Sequence, residues 1–241
     1  MDAAPPLRDL RQPWLMIDIP RMDYEKALDL QHALVDAKYR GGAKHNLVLM
    51  LEHPPVFTFG RRGGREFLLK DDAFLRAHGI TSFQVERGGF VTYHGPGQLV
   101  IYPIINLRET GWGVMDLVQA LEDMVIRLTA DWGIYCERNP LNRGVWVGNR
   151  KLASIGLAIR HWITFHGMSI NINPSLEPFT WMHPCGLTGI QATSMARELG
   201  YDVSMVKVRE AVKTHLKTAW ALELMEGSLE GVMEMIRDPS P

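Results

Sequence analysis

The two side chains best suited to covalent chemistry are a thiol and an amine. Cys185 stands in His183-Pro184-Cys185-Gly186-Leu187-Thr188-Gly189, where proline before and glycine after predict a loop that projects the thiol. Lys151 stands in Arg150-Lys151-Leu152-Ala153-Ser154-Ile155-Gly156, at the start of a predicted strand whose small residues leave room. An ammonium beside a thiol favours the thiolate, and a thiolate takes an acyl group and hands it on where a neutral thiol does not. Taken singly, each residue has an ordinary explanation: a lysine at a strand start is a solvated charge. The other cysteine, Cys136, falls in the alternating run Ile134-Tyr135-Cys136-Glu137 and is expected to be a small buried hydrophobe inside a strand.

A second concentration of chemistry is Arg87-Gly88-Gly89-Phe90-Val91-Thr92-Tyr93-His94-Gly95-Pro96-Gly97-Gln98. Glycine at this density lets backbone approach a ligand, while Arg87 offers a fixed charge and His94 a donor switchable near neutral pH. A tight hairpin explains the same glycines. The segment is neither a G-x-x-x-x-G-K-[ST] phosphate loop nor a G-x-G-x-x-G element opening a helix, so no nucleotide motif is present. His166, in Thr164-Phe165-His166-Gly167-Met168-Ser169, reads as a site residue or as a hydrogen-bonded core histidine.

These residues need a scaffold, and 241 residues that are 46% hydrophobic and 22% charged can bury one substantial core. The net charge of −1 supplies no global field to recruit nucleic acid or anionic lipid, so an acidic partner must be met locally. Arg61, Arg62, Arg65, Arg138, Arg143 and Arg150 are available for that, or for an ordinary solvated face. Two cysteines make no disulfide framework and show no metal-ligand spacing, which predicts a reducing, cytoplasmic setting and no metal. Met1-Asp2-Ala3-Ala4-Pro5-Pro6 carries no apolar h-region and no apolar stretch reaches membrane-spanning length, which predicts a soluble protein that is not secreted.

Strand-length apolar runs alternate with amphipathic ones, the pattern of an α/β or α+β fold. Helices are predicted over 24–39, 71–77, 115–132 and 204–224, and strands over 14–19, 46–52, 56–60, 82–86, 99–105, 145–148, 152–160 and 164–173. One domain over 1–225 with a tail over 226–241 is the expected organisation.

Taken together, Arg87-Gly88-Gly89-x-x-Thr92-x-His94-Gly95-Pro96-Gly97-Gln98, Gly144-Val145-Trp146 with Lys151-x-x-Ser154-Ile155-Gly156, Phe165-His166-Gly167 with Asn171, and Pro184-Cys185-Gly186 resemble the octanoyltransferase family, the lipoate-protein ligase B type. The resemblance implies a mixed central sheet flanked by helices, as in the catalytic domain of biotin and lipoate protein ligases. It implies transfer of an octanoyl or lipoyl group from acyl carrier protein to a lysine of lipoyl domains, in 2-oxoacid dehydrogenase E2 subunits or the glycine cleavage H protein, without a cofactor.

The residue matching Cys185 would then carry the acyl group as a thioester, and that matching Lys151 would lower the thiol's pKa. Arg87 to His94 (Arg87, Gly88, Gly89, Phe90, Val91, Thr92, Tyr93, His94), Ser154, Ile155, Gly156, His166, Gly167, Met168 and Ser169 would line the substrate site. A thioester donor needs no ATP, which agrees with the missing nucleotide loop, and backbone N–H groups at Cys185-Gly186 would serve an oxyanion. Two other readings share these features: an ATP-dependent lipoate or biotin ligase, and a non-catalytic module that binds acylated carriers. An amidotransferase moving octanoyl between protein lysines is a further variant.

Overall fold

The computed structural model describes residues 13–140, 142–183 and 191–237. In chain order the elements are β1 (Trp14–Asp18), α1 (Tyr24–Tyr39), β2 (Leu47–Leu51), β3 (Val56–Phe59), α2 (Asp72–Ala77), β4 (Thr81–Gln84), β5 (Val91–His94), β6 (Gln98–Ile104), α3 (Leu107–Thr110) and α4 (Val114–Ala130). They continue with β7 (Glu137–Arg138), β8 (Gly144–Val147), β9 (Arg150–Arg160), β10 (Ile163–Asn171), β11 (Gln191–Ala192), α5 (Met195–Leu199), α6 (Met205–Ala219), β12 (Leu224–Gly227) and α7 (Leu229–Arg237).

The main sheet runs β12-β1-β2-β6-β10-β9-β8-β7, with β11 also pairing β9, and β4-β3-β5 form a second, smaller sheet. Pairing is parallel at β12-β1, β1-β2 and β11-β9 and antiparallel from β2 through β7. The sheet is therefore mixed, as expected. The central strands are apolar throughout because both faces are covered. In β2, Leu47, Leu49 and Leu51 point into one core with Leu30 and Leu34 of α1. Val48 and Met50 point into the other, with Leu121 of α4 and Val212 of α6. None of the helices among the described residues is long and apolar enough to cross a membrane.

Most predicted elements fall where periodicity places them, α1 to the residue, its end marked by Gly41 at φ +84°. Three do not. The glycine loop contains a strand, β5, antiparallel to β3, so the segment crosses from the small sheet to the large one. The helix predicted over 204–224 stops at Ala219. There Trp220 is buried edge-on against Trp14 and Trp112, and Leu224–Gly227 pairs in parallel with β1. The helix-forming run Ala221-Leu222-Glu223-Leu224-Met225-Glu226 is overridden by that pairing and by the left-handed turn at Ala221, φ +50°. Beyond it Val232 of α7 is buried with the α1 core, so the segment over 226–241 read as a tail supplies the end of an edge strand and a helix. Cys136 is half-buried just before β7 rather than within a strand, and burial pushes its thiol pKa up.

Candidate active site

The register of β9 on β10 sets Gly156 opposite Gly167, Ile155 opposite Met168 and Ser154 opposite Ser169. Neither glycine is replaceable without displacement. A Cβ on Gly156 would lie 2.9 Å from the Gly88 carbonyl and 3.2 Å from Arg87 Cδ, and one on Gly167 would lie 2.1 Å from the Ile101 carbonyl. The bare Gly156 lets the loop come down on the strand, where Gly88 N–H donates to Leu157 O at 2.9 Å. Where that loop and β5 stand off from the main sheet a cavity of about 700 Å³ remains, within the range of about 300–1,000 Å³ typical of small-molecule sites.

Lys151, Arg87, Gly88, Gly89, Phe90, Val91, Thr92, His94, Ser154, Ile155, Gly156, His166, Gly167, Met168 and Ser169 all line this cavity. Tyr93 does not. Its neighbours Thr92 and His94 face the cavity, so strand alternation turns Tyr93 into the core of the small sheet, against Phe57 and Phe179. Arg87 is buried and braces the loop: Nε donates to Thr58 Oγ1 at 3.1 Å, Nη2 to Thr58 O at 2.6 Å and Nη1 to Gly88 O at 3.0 Å.

One wall is polar yet uncharged. His94 Nδ1–H donates to Gln98 Oε1 at 2.7 Å, Gln98 Nε2 to Asn171 Oδ1 at 2.8 Å, and Asn171 Nδ2 to Thr193 O at 2.9 Å. His53 donates from Nδ1 to Met22 O and accepts the Tyr102 hydroxyl on Nε2, both at 2.7 Å. Burial pushes His53 down to about 4 and His166 down to about 3, the latter helped by the Arg87 charge. Burial, together with His53, also holds His94 well below the usual imidazole range. His94 is therefore fixed neutral rather than switchable at neutral pH. Glu86 stands 3.7 Å from His166 Nε2, but its side chain is 43% exposed, so water takes much of its field. His166 itself adopts φ +55°, held by its N–H donating to Gln31 Oε1 at 2.7 Å.

The turn after His94 is fastened from behind. Gly97 N–H donates to Glu52 Oε2 at 2.8 Å, Gly97 O accepts from Ile172 and Asn173, and Arg209 of α6 stands 3.5 Å from the other Glu52 oxygen while also pairing with Asp18.

Lys151 is buried, not a solvated charge. It is in register with Trp146 on one side and Ala192 on the other. Its Nζ donates to Asn142 Oδ1 at 2.7 Å and lies 5.3 Å from the centre of the Trp146 ring. Cys185 lies outside the described residues. On either side of its segment, Met182 and Ala192 both line the cavity. Of the six arginines considered for a partner surface, Arg65 pairs with Asp72, Arg138 with Glu122 and Arg150 with Glu198. Arg62 and Arg143 are exposed where they line the cavity, and Arg61 is exposed beside Arg62.

Sequence reasoning missed Tyr24, His53, Tyr102 and Asn142. Tyr24 opens a helix, Tyr102 sits in an apolar strand and Asn142 in a turn, with no local sign of a shared site. Only His53, in Glu52-His53-Pro54-Pro55, had a signal: a histidine closing a buried strand needs partners.

Residues 23–217 match the family model described as the lipoyl protein ligase A/B catalytic domain. The chain is 45% identical over 197 residues to an octanoyltransferase of Desulfotalea psychrophila, covering 81% of this chain and 88% of the relative. It is 42% identical over 223 residues to one of Syntrophobacter fumaroxidans, covering 92% and 97%. In fold it is similar to a crystal structure of lipoate-protein ligase A bound with ATP, with a TM-score of 0.76 at 15% identity over 94% of this chain and 93% of that one. A biotin protein ligase from Aquifex aeolicus with biotin and ATP gives 0.52 at 15% identity over 86% and 70%.

Proposed function

The chain belongs to the lipoyl protein ligase A/B catalytic domain family and, within it, to the octanoyltransferases, and from that premise we propose a ping-pong acyl transfer through Cys185 and Lys151. The donor is an octanoyl thioester on acyl carrier protein, the acceptor a lysine amine of a lipoyl domain, and the setting the reducing cytoplasm. The Cys185 thiolate attacks the thioester carbonyl; the bond to the carrier sulfur breaks, and Lys151 gives that sulfur its proton. The acceptor amine then attacks the Cys185 thioester, an amide forms, and the amine proton passes to Lys151 as the thiolate is regenerated. Bringing a thiol from about 8.5 toward neutrality is worth about 2 kcal/mol, which one ammonium in a partly desolvated site provides.

The observation that carries this reading is the buried Lys151 ammonium on a largely apolar cavity that both described flanks of the Cys185 segment also line. Phe90, Val91, Ile155 and Met168 offer apolar surface to the chain, at about 0.8 kcal/mol per buried methylene. Intact-mass spectrometry after mixing with octanoyl carrier protein tests it. The wild type gains one octanoyl group, and a Cys185→Ala variant that still gains it refutes the thioester. The fold likeness to an ATP-bound ligase favours a second reading, adenylate formation, which pyrophosphate release from ATP and free octanoate would support.

A further inference from the structure

Three residues ahead of β9 surround the Lys151 side chain: Asn142, in the bend before β8, and Gly144 and Trp146 of β8 itself. Asn142 Oδ1 accepts from Lys151 Nζ at 2.7 Å. Gly144 leaves room for the lysine stem: at φ +124°, a Cβ there would meet Lys151 Cε at 2.9 Å and the Ala153 carbonyl at 2.2 Å. Trp146 presents its ring 5.3 Å from Nζ. The three are tied together and to the core. The Trp146 indole N–H donates to the Asn142 carbonyl at 3.1 Å, and Gly144 N–H donates to Glu122 Oε1 at 2.9 Å. Glu122 is itself buried on α4 and paired with Arg138 at 3.1 Å.

We infer that Asn142 is a positioning residue for the reaction: its side-chain carbonyl fixes the rotamer of Lys151 and with it the direction in which the ammonium faces the cavity. A lysine stem has four rotatable bonds, and burial of the stem alone does not choose among their rotamers. A neutral carbonyl serves where a carboxylate would not. It orients the ammonium without setting a negative charge beside it. The inference rests on the Lys151–Cys185 reading above.

The test is a double-mutant cycle on the full chain, with the pH dependence of Cys185 alkylation by iodoacetamide as readout, in wild type, Asn142→Leu, Lys151→Ala and the double variant, each with Cys136→Ser. Asn142→Leu is expected to slow alkylation at pH 7 by about tenfold, the size of one hydrogen bond to a charged group. It should move the profile to higher pH and lower kcat for octanoyl transfer while leaving KM for the carrier unchanged. In the Lys151→Ala background the same substitution should change nothing. A full effect persisting there, or an unchanged profile in Asn142→Leu alone, overturns the inference. An unchanged profile in Lys151→Ala itself overturns the dyad, and this inference with it. Asn142→Ser, which keeps a shorter acceptor, carries the same cycle should the leucine variant melt, with an intermediate slowing expected.

Discussion

Lowering the pH from 8 to 5 should destabilise this protein far more than its surface charges suggest, because it buries neutral histidines in and behind the cavity wall. An imidazole in the unfolded chain titrates near 6.5, whereas His53 and His166 in the fold are held to about 4 and about 3. A base with a depressed folded pKa binds fewer protons folded than unfolded. Stability is therefore complete above about 6.5 and falls as the pH drops through that value, until the folded pKa is reached. At pH 5 each residue has cost about 2 kcal/mol, and the two together about 4 kcal/mol, with His94 acting in the same direction. Both side chains are almost fully buried, so little is lost to solvent screening. That is a large share of the roughly 5–15 kcal/mol a domain commands. The carboxylates held low, Glu198 and Glu226, enter only near and below 4.5, leaving this window to the imidazoles. Unfolding free energies from urea titrations at pH 8, 7, 6 and 5 measure the loss, and in His53→Gln about half of the two-residue loss should disappear. A stability flat from pH 8 to 5, or a His53→Gln profile with unchanged slope, would refute the reasoning.

Two substitutions probe the strands and the amide relay. Gly167→Ala forces a methyl to 2.1 Å from the Ile101 carbonyl and should cost about 3 kcal/mol through displacement of a central strand, read as a lowered midpoint in thermal or urea unfolding. Gln98→Leu removes the acceptor of His94 and the donor to Asn171. It should cost about 1–3 kcal/mol for each buried group left unpaired, and transfer activity should fall with it.

Much of the scaffold was legible because periodicity carries it: Ala27, Leu30, Leu34 and Val35 define the buried face of α1 unaided. The lining of the cavity was legible as linked motifs. What failed did so for identifiable reasons. β5 is four residues inside a glycine-rich run, so local composition concealed it, and with it the alternation that turns Tyr93 away from His94. β12 carries a helix-forming sequence and exists because β1 offers an edge. Tyr24, His53, Tyr102 and Asn142 meet the site only through tertiary packing, which no single stretch of sequence encodes.

Glu52 shares its carboxylate between Gly97, on the turn beside His94, and Arg209, on a helix near the other end of the chain. A fragment ending after the last motif would strand Glu52 and Asp18 without their cation and unfasten the turn that carries His94. The segment bearing the motifs thus depends on a helix that bears none. Among related chains, changes at positions 18, 52 and 209 should travel together, and lineages that drift at one of them should show compensation at the others.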